Sequence, residues 1–363
     1  MAMDLNVYKI RLVFESPVAL PFRRARLGYL GIPKHIPAAT LRGSVIAALY
    51  RERMIDEKRM RNEAMYPSII TSPAYPVING LESKPAHPFI FQCKKCEAEG
   101  RQQGSAFKID SAERLMSSDL VNFEPPCGHR ALKQLHPTPI VFYNGRIVEA
   151  GVSGFRYISL NMSRRRAAGV KGVLYSYEAL DESHEFWATL ASPDELGLDK
   201  LLLLMGRGIS RGMGRVRVSN SERVDVSKEA EKLSNTGDGQ VLFTAISPLL
   251  GSDPSSPEWT TYPKVIELQD LAKAVGVDAV GELRVDEAYG RTFTFDAGWD
   301  MMRNQLRPRF EAKNPGTVVK ASLKNVYGDV GETLAALRYV GTKMLHDGST
   351  PITGVNMLEK VEV

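Results

Sequence analysis

Between residues 7 and 14 the chain alternates strictly, with Tyr8, Ile10, Leu12 and Phe14 on one face and Lys9, Arg11 and Val13 on the other. This period-two pattern is that of a half-buried strand. A loop rich in proline, glycine and arginine follows, and then Leu41, Val45 and Leu49 fall on one stripe at helical spacing. Pro37 blocks an earlier helical start and Thr40 is placed to cap this one. From about 60 to 150 the periodicity dissolves into proline, serine and charge. Alternation resumes in residues 172–180 (Val173, Tyr175, Tyr177) and again in 184–191, and Asp181, Glu182 and Ser183 between them predict a hairpin turn. Ser192-Pro193-Asp194-Glu195 reads as a helix start, with a serine cap, proline at the first helical position and a glutamate able to bond back to the cap. A leucine-rich helix to Met205 is expected from it, followed by a strand from Arg215.

With the aperiodic insertion set aside, the order is strand, helix, strand, strand, helix, strand. That is the split βαβ, ferredoxin-like arrangement, which RNA-recognition domains also use. After a polar, glycine-containing linker (227–240), a second unit opens with strand VLFTAIS (241–247). It continues with a helix over 263–275, a strand pair around 291–297 and 316–323, a helix near 330–345, and a short closing strand. The expected fold is therefore α+β: two ferredoxin-like domains, 1–226 and a degenerate copy at 227–363, with an irregular insertion at about 60–150 in the first. No apolar run approaches the roughly 18 residues a membrane span needs, and the start carries no signal-peptide pattern, so a cytoplasmic location is expected.

The net charge of +5 is too small to imply a polyanion partner by itself. Its distribution says more. Arg23, Arg24, Arg26 and Lys34 share one loop, Arg164, Arg165 and Arg166 form a second cluster, and Arg207, Arg211 and Arg215 a third. A basic cluster is commonly a solvated surface, but three of them in loop-like segments point to a phosphate-contacting face.

The third cluster is threaded through Gly206, Gly208, Gly212 and Gly214. Glycines permit backbone angles that other residues resist and leave amide N–H groups open to a close-approaching phosphate. Arg207, Ser210, Arg211 and Arg215 add donors suited to phosphate oxygens. A dinucleotide fingerprint does not fit, because the spacing is GxGxxxGxG and the loop is expected to join a helix to a strand. A Walker loop is excluded, since no Gly-Lys-Ser/Thr follows. A merely flexible connection explains the glycines but not the arginines.

The string MGRGISRGMGRVRV (205–218) resembles the glycine-rich signature loop of the CRISPR-associated RAMP superfamily, and IPAATLRGSVIAALYR (36–51) resembles that superfamily's first-helix motif. In the second half, AGWDMMRN (297–304) and RPRFEAKNPGTVVKASL (307–323) resemble the two-domain subunits that sit at the guide-RNA 5′-tag end of type III effectors. The cysteine-bearing insertion is most like the subtype III-D version. Ala321-Ser322 replaces the usual Gly-Ser of that family, and the terminal glycine loop is degenerate. The resemblance implies an RNA-binding subunit of a ribonucleoprotein for antiviral defence. It would hold the crRNA 5′ tag and dock a large polymerase-like subunit and RAMP backbone subunits. RNA contacts are then expected at Arg23, Arg24, Arg26, Lys34, His35, Arg42, Arg164, Arg165, Arg207, Gly208, Ser210, Arg211, Gly212, Gly214 and Arg215, with Arg42 adding charge at a helix N-terminus. Tyr29, Phe22 and Tyr175 are candidates for base contacts, with a core position the favoured reading of Tyr175.

Cys93 and Cys96 form a CxxC pair, and Cys127-Gly-His129 adds a sulfur and an imidazole some thirty residues on. Four such ligands close a tetrahedral zinc site with no open position for water, a structural centre that would hold together an insertion poor in apolar residues. The alternatives are three unconnected thiols beside a surface histidine, or redox chemistry, for which no thioredoxin-like context is present.

RAMP subunits that cut target RNA carry an acidic residue in the loop after the first strand, and residues 16–39 contain neither Asp nor Glu. Processing nucleases of the superfamily often use a histidine from that region, where His35 lies. It has no carboxylate nearby in sequence to orient it. The protein is expected to be non-catalytic; the rival is an endoribonuclease centred on His35.

Overall fold

The computed structural model describes residues 5–20, 23–25, 28–30, 32–99, 106–108, 127–144, 146–163, 168–234, 240–251, 261–300, 304–344 and 351–361. The molecule is a mixed α/β structure made mostly of strands, in two larger sheets and several small ones.

Strand β1 (Asn6–Phe14) buries Tyr8, Ile10, Leu12 and Phe14, as its alternation requires. The chain then makes a small hairpin, β2 (Arg23–Ala25) with β3 (Gly28–Leu30), before helix α1 (Ala38–Arg51). This helix starts two residues before Thr40. Pro37 occupies the N-cap position and no side chain caps it; Leu41, Val45 and Leu49 face the core. Next come α2 (Glu57–Met65), β4 (Ile70–Thr71), β5 (Tyr75–Ile78) and β6 (Leu81–Glu82). Strands β4, β5 and β6 join the first large sheet, so regular structure runs on past residue 60 and the irregular insertion begins near residue 84.

The insertion holds β7 (Lys84–Pro85), β8 (Ile90–Cys93), α3 (Lys94–Ala98), β9 (Ala106–Lys108), β10 (Leu132–Gln134), β11 (Pro139–Tyr143) and β12 (Arg146–Glu149). They form two three-stranded sheets, ordered β10-β8-β9 and β12-β11-β7. Two long strands follow, β13 (Gly154–Ser163) and β14 (Ala168–Leu180). They pair with each other over most of their length, from Gly154 opposite Leu180 to Ser163 opposite Ala168. At about 3.3 Å per residue the hairpin is roughly 30 Å long. The expected hairpin between 172–180 and 184–191 is therefore not formed. Asp181 and Ser183 carry the chain from this arm to β15 (Glu185–Ser192), which lies in the first large sheet.

The expected helix from Pro193 to Met205 is not formed either. Residues 193–201 are irregular, and β16 (Leu202–Leu204) pairs with β17 (Arg215–Arg223). Leu201, Leu203 and Met205 are buried while Leu202 and Leu204 are half-buried, a two-residue period hidden within a run of leucines. Lys200 adopts a left-handed φ of 62°, which a helix does not tolerate. The open edge of β17 supplies the hydrogen bonds that a helix would have made internally.

The resulting sheet runs β16-β17-β1-β15-β5-β6, with β4 also on β15, and its pairs are antiparallel. Reduced to its centre, the last strand lies beside the first and the third beside the second, the order of a split βαβ sheet. Residues 70–78 fill the second-strand place that sequence had given to 172–180.

The expected linker contains helix α4 (Ser227–Ser234). Beyond it lie β18 (Gln240–Ala245), β19 (Val265–Glu267), α5 (Leu268–Val275) and β20 (Ala279–Tyr289), the last unanticipated. Strands β21 (Thr292–Asp296), β22 (Trp299–Asp300), β23 (Gln305–Leu306) and β24 (Arg309–Lys313) make two small hairpins, β21 with β24 and β22 with β23. Then come β25 (Val318–Gly328), α6 (Val330–Val340), β26 (Thr342–Met344), β27 (Ile352–Val355) and β28 (Leu358–Lys360). The second large sheet runs β19-β20-β25-β18-β28. Residues 316–323 therefore pair with β18 and β20 and not with 291–297. Leaving aside β19, the strand order repeats that of the first half, and here a helix follows both the first and the third strand. Phe243, Leu283, Val285, Ala321 and Leu323 share a core with Leu271, Val275, Leu334 and Leu337 from the helices.

Candidate nucleic-acid interface and metal centre

All four glycines of the 206–214 loop are left-handed, with φ between 80° and 83°. Packing explains two of them directly. A Cβ on Gly206 would lie 2.4 Å from the Ala19 carbonyl oxygen, and one on Gly214 would lie 2.3 Å from that of Met205. Most of the loop's amides are engaged within the protein. Arg207 N–H donates to Ala19 O (2.9 Å), Gly214 N–H to Pro17 O (2.9 Å), and Arg211 and Met213 N–H to Gly208 O (2.8 and 3.2 Å). The amides of Gly208, Ile209 and Ser210, which open a single 3-10 turn (Ile209–Arg211), have no protein acceptor among the described residues. Arg207, Ile209, Ser210, Arg211 and Gly212 are exposed there. The loop is thus pinned at both ends, and its crown combines three consecutive N–H groups that have no acceptor among the described residues with two exposed arginines. It joins two strands, not a helix to a strand.

The loop after β1 is the neighbour that does the pinning. Val18 bridges to Leu180 at the base of the long hairpin, and Ala19 to Arg207. Strand β3 pairs in parallel with β14, Gly28 opposite Ser176 and Tyr29 opposite Tyr177. The glycine loop, the segment carrying Arg23 and Arg24, and the arm that carries Tyr175 are therefore contiguous. Arg26, Arg164, Arg165, Arg166 and Phe22 lie outside the described residues.

Other expected contacts are placed differently. Arg42 turns into the protein: its guanidinium donates to Ile69 O and Glu63 O (both 2.6 Å) and to Glu63 Oε2 (2.8 Å). Glu63 is only 1% exposed and also accepts from the Ser68 and Ile69 amides. Arg42 is thus half of a buried ion pair tying α1 to the end of α2, its guanidinium engaged inside the protein. Lys34 donates to Thr138 Oγ1 in the insertion (2.8 Å). Arg215 pairs with Glu15 at 3.4 Å, and the same carboxylate binds Arg217. The Arg217 hydrogen bond, followed by the charges and donors of both arginines, holds the Glu15 carboxyl below its usual range against the opposing effect of burial. Neither Glu15 nor Arg217 was singled out from sequence, because the contact joins residues some two hundred positions apart.

His35 packs against Tyr75, ring centroids 5.6 Å apart, and the Tyr75 hydroxyl donates to Ile246 O in the second half (2.7 Å). Burial pushes the His35 pKa down to about 4. The imidazole is neutral at pH 7 and has no hydrogen-bond partner among the described residues.

Cys93, Cys96, Cys127 and His129 converge, their ligand atoms all within 4.8 Å of one another. Both Cys93 Sγ and Cys96 Sγ lie 3.5 Å from His129 Nδ1. Cys93 ends β8, Cys96 lies in α3, and His129 precedes β10, whose Leu132 pairs with Cys93. The Cys96 amide donates to Cys93 Sγ, and this bond, with smaller contributions from His129 and the other thiols, lowers the Cys93 thiol to about 6 against the effect of burial. Three sulfurs and one imidazole nitrogen in this arrangement could hold a metal ion, and they suit a soft, tetrahedral one.

No protein-family model and no curated protein matches the chain. Its similarities are to solved structures. A chain of a type III-B Cmr-beta complex bound to cognate target RNA is 12% identical over 86% of each chain, with a TM-score of 0.44. A chain of a Csm3–Csm4 subcomplex of a type III-A CRISPR–Cas interference complex is 12% identical over 88% of this chain and 93% of that one, TM-score 0.37. The CRISPR-associated protein Cas6 is 10% identical over 99% and 100%, TM-score 0.38. At these scores the reading of the fold rests on strand order. No helix among the described residues is long and apolar enough to cross a membrane.

Proposed function

We propose that the chain is a non-catalytic, RNA-binding RAMP subunit of a type III CRISPR effector, built from two ferredoxin-like domains and working in the cytoplasm. In this reading it holds the 5′ tag of the guide RNA and docks the polymerase-like large subunit and a backbone subunit. The observation that carries it is the crown of the glycine loop, where the Gly208, Ile209 and Ser210 amides, with no acceptor among the described residues, lie between the exposed Arg207 and Arg211. Such a surface takes phosphodiester oxygens without reading sequence. Zinc at Cys93, Cys96, Cys127 and His129 would be structural.

His35 supports the absence of catalysis. A neutral imidazole with a pKa near 4 holds almost no proton to donate at pH 7, and no carboxylate among the described residues bonds to it. Titration of the full chain against a guide-repeat RNA tests the proposal. Arg211→Ala is expected to weaken binding and to flatten the log–log salt slope by about 0.7, one single-strand phosphate contact. Unchanged affinity and slope would refute the phosphate role. Discrete cleavage abolished by His35→Ala would establish the nuclease instead.

A further inference from the structure

Glu15 leaves β1 at the mouth of the glycine loop and meets the loop's exit through three kinds of contact. Its N–H donates to Arg215 O (2.9 Å), the adjacent Ser16 Oγ accepts from Arg215 N–H (2.9 Å), and its carboxylate spans the two arginines that begin β17. One oxygen faces Arg215 at 3.4 Å and the other is hydrogen-bonded to Arg217, which also donates to Lys200 O (3.1 Å). Two anionic oxygens on one centre, each facing a guanidinium, is the pattern a phosphodiester presents with its two non-bridging oxygens. The bridge is accessible: the side chains of Arg215, Arg217 and Glu15 are 48%, 39% and 28% exposed.

We infer that Glu15 is a resident occupant of a phosphate seat at the start of β17, confining the RNA backbone to the loop crown and keeping Arg215 and Arg217 out of the contact. This rests on the RNA-binding reading of the loop and adds to it a residue that limits affinity. Two arginines sharing one carboxylate leave a net single charge, and an approaching phosphate meets the carboxylate's repulsion as well as the guanidiniums' attraction. An ordinary surface ion pair would have no such effect on a ligand, and would be worth little even to the fold. The two views therefore separate on RNA affinity, not on stability.

The test uses the full chain and a labelled single-stranded RNA oligonucleotide titrated at several salt concentrations. Glu15→Gln keeps the shape and removes the charge, and Glu15→Ala guards against an effect peculiar to glutamine. Both are expected to tighten binding several-fold and to steepen the salt slope by about 1.4, or 0.7 for each guanidinium made available. Adding Arg215→Gln and Arg217→Gln to Glu15→Gln is expected to return the slope to the wild-type value. If both Glu15 variants, folded as judged by an unchanged melting temperature, bind RNA no better than wild type, the inference is overturned while the loop reading stands. If wild type binds no RNA, or Arg211→Ala makes no difference, the RNA-binding reading itself has failed and this inference falls with it.

Discussion

Arg42 and Arg211 are both arginines near glycines in basic, motif-like strings, yet one is half of a buried ion pair and the other stands on a loop crown. Arg42 is held by Glu63, twenty-one positions along and fully enclosed, whose charge is tolerable because Arg42, Arg59, the Ser68 hydroxyl and the Ser68 and Ile69 amides all satisfy it. Sequence shows which residues can bind phosphate but not which have already found a carboxylate; Glu15 and Arg217 make the same point from the other direction. The cluster of three cysteines and His129 was legible, because CxxC fixes its own local geometry and Cys127-Gly-His129 is a compact second pair. Two histidines give the residue scale a pH dependence. Burial lowers His35 and His136 to about 4 from the ordinary 6.5. In His136, Nδ1 bonds to Ala86 O (2.9 Å) and Nε2 accepts from the Arg291 amide (3.2 Å), a neutral tautomer with both nitrogens satisfied. Between pH 6.5 and 4 the unfolded chain takes up protons at these rings that the folded chain refuses. Their contribution is therefore complete above pH 6.5 and is lost as pH falls toward 4. The slope is at most about 1.4 kcal/mol per pH unit for each ring. Urea midpoints at pH 7.5, 6 and 5 should fall in that order, and His136→Gln should flatten the decline.

At the scale of elements, period-two segments with a clean face were readable and composite ones were not. Strand β1 and helix α1 emerged almost as expected, since their buried positions carry unmistakable spacing. Residues 193–205 misled because proline after serine imitates a helix start and consecutive leucines satisfy either period. Strand β20 was missed because two register shifts, between Val280 and Glu282 and between Val285 and Glu287, break its alternation. The insertion was recognised as irregular, but its small sheets could not be foreseen, since their cores hold only a few apolar side chains each. That poverty predicts dependence on the metal. With zinc bound, mass spectrometry under native conditions should find one ion per chain, absent in Cys93→Ser. A chelator should then accelerate hydrogen exchange at the Lys94 amide, which bonds to Ala131 O, while leaving β1 protected. Equal exchange in both regions with and without chelator would rule out a structural metal.

Across the whole molecule, the same strand order occurs twice, and the insertion lies against the second half as well as the first. Phe89 packs with Val318, Leu242 and Tyr289, Gln134 accepts from Arg291 Nε (3.1 Å), and Lys84 pairs with Glu359 (2.7 Å). Strands β8 and β10 thus carry the cysteine–histidine cluster at one end and meet the second sheet at the other. These long-range contacts are invisible to any local pattern, which is why a segment read as an insertion in the first domain also touches the second half. A polypeptide emerges from the ribosome in one direction, however, and Val318 follows Gln134 by roughly 180 residues, about 10–40 s of synthesis at ordinary rates. For that interval Phe89 has no sheet to cover it. The nascent first half is accordingly a chain with an uncovered aromatic face. A fragment ending at residue 226 should bind a hydrophobic dye and aggregate where the full chain stays monodisperse, and Phe89→Ser should lessen that tendency in the fragment.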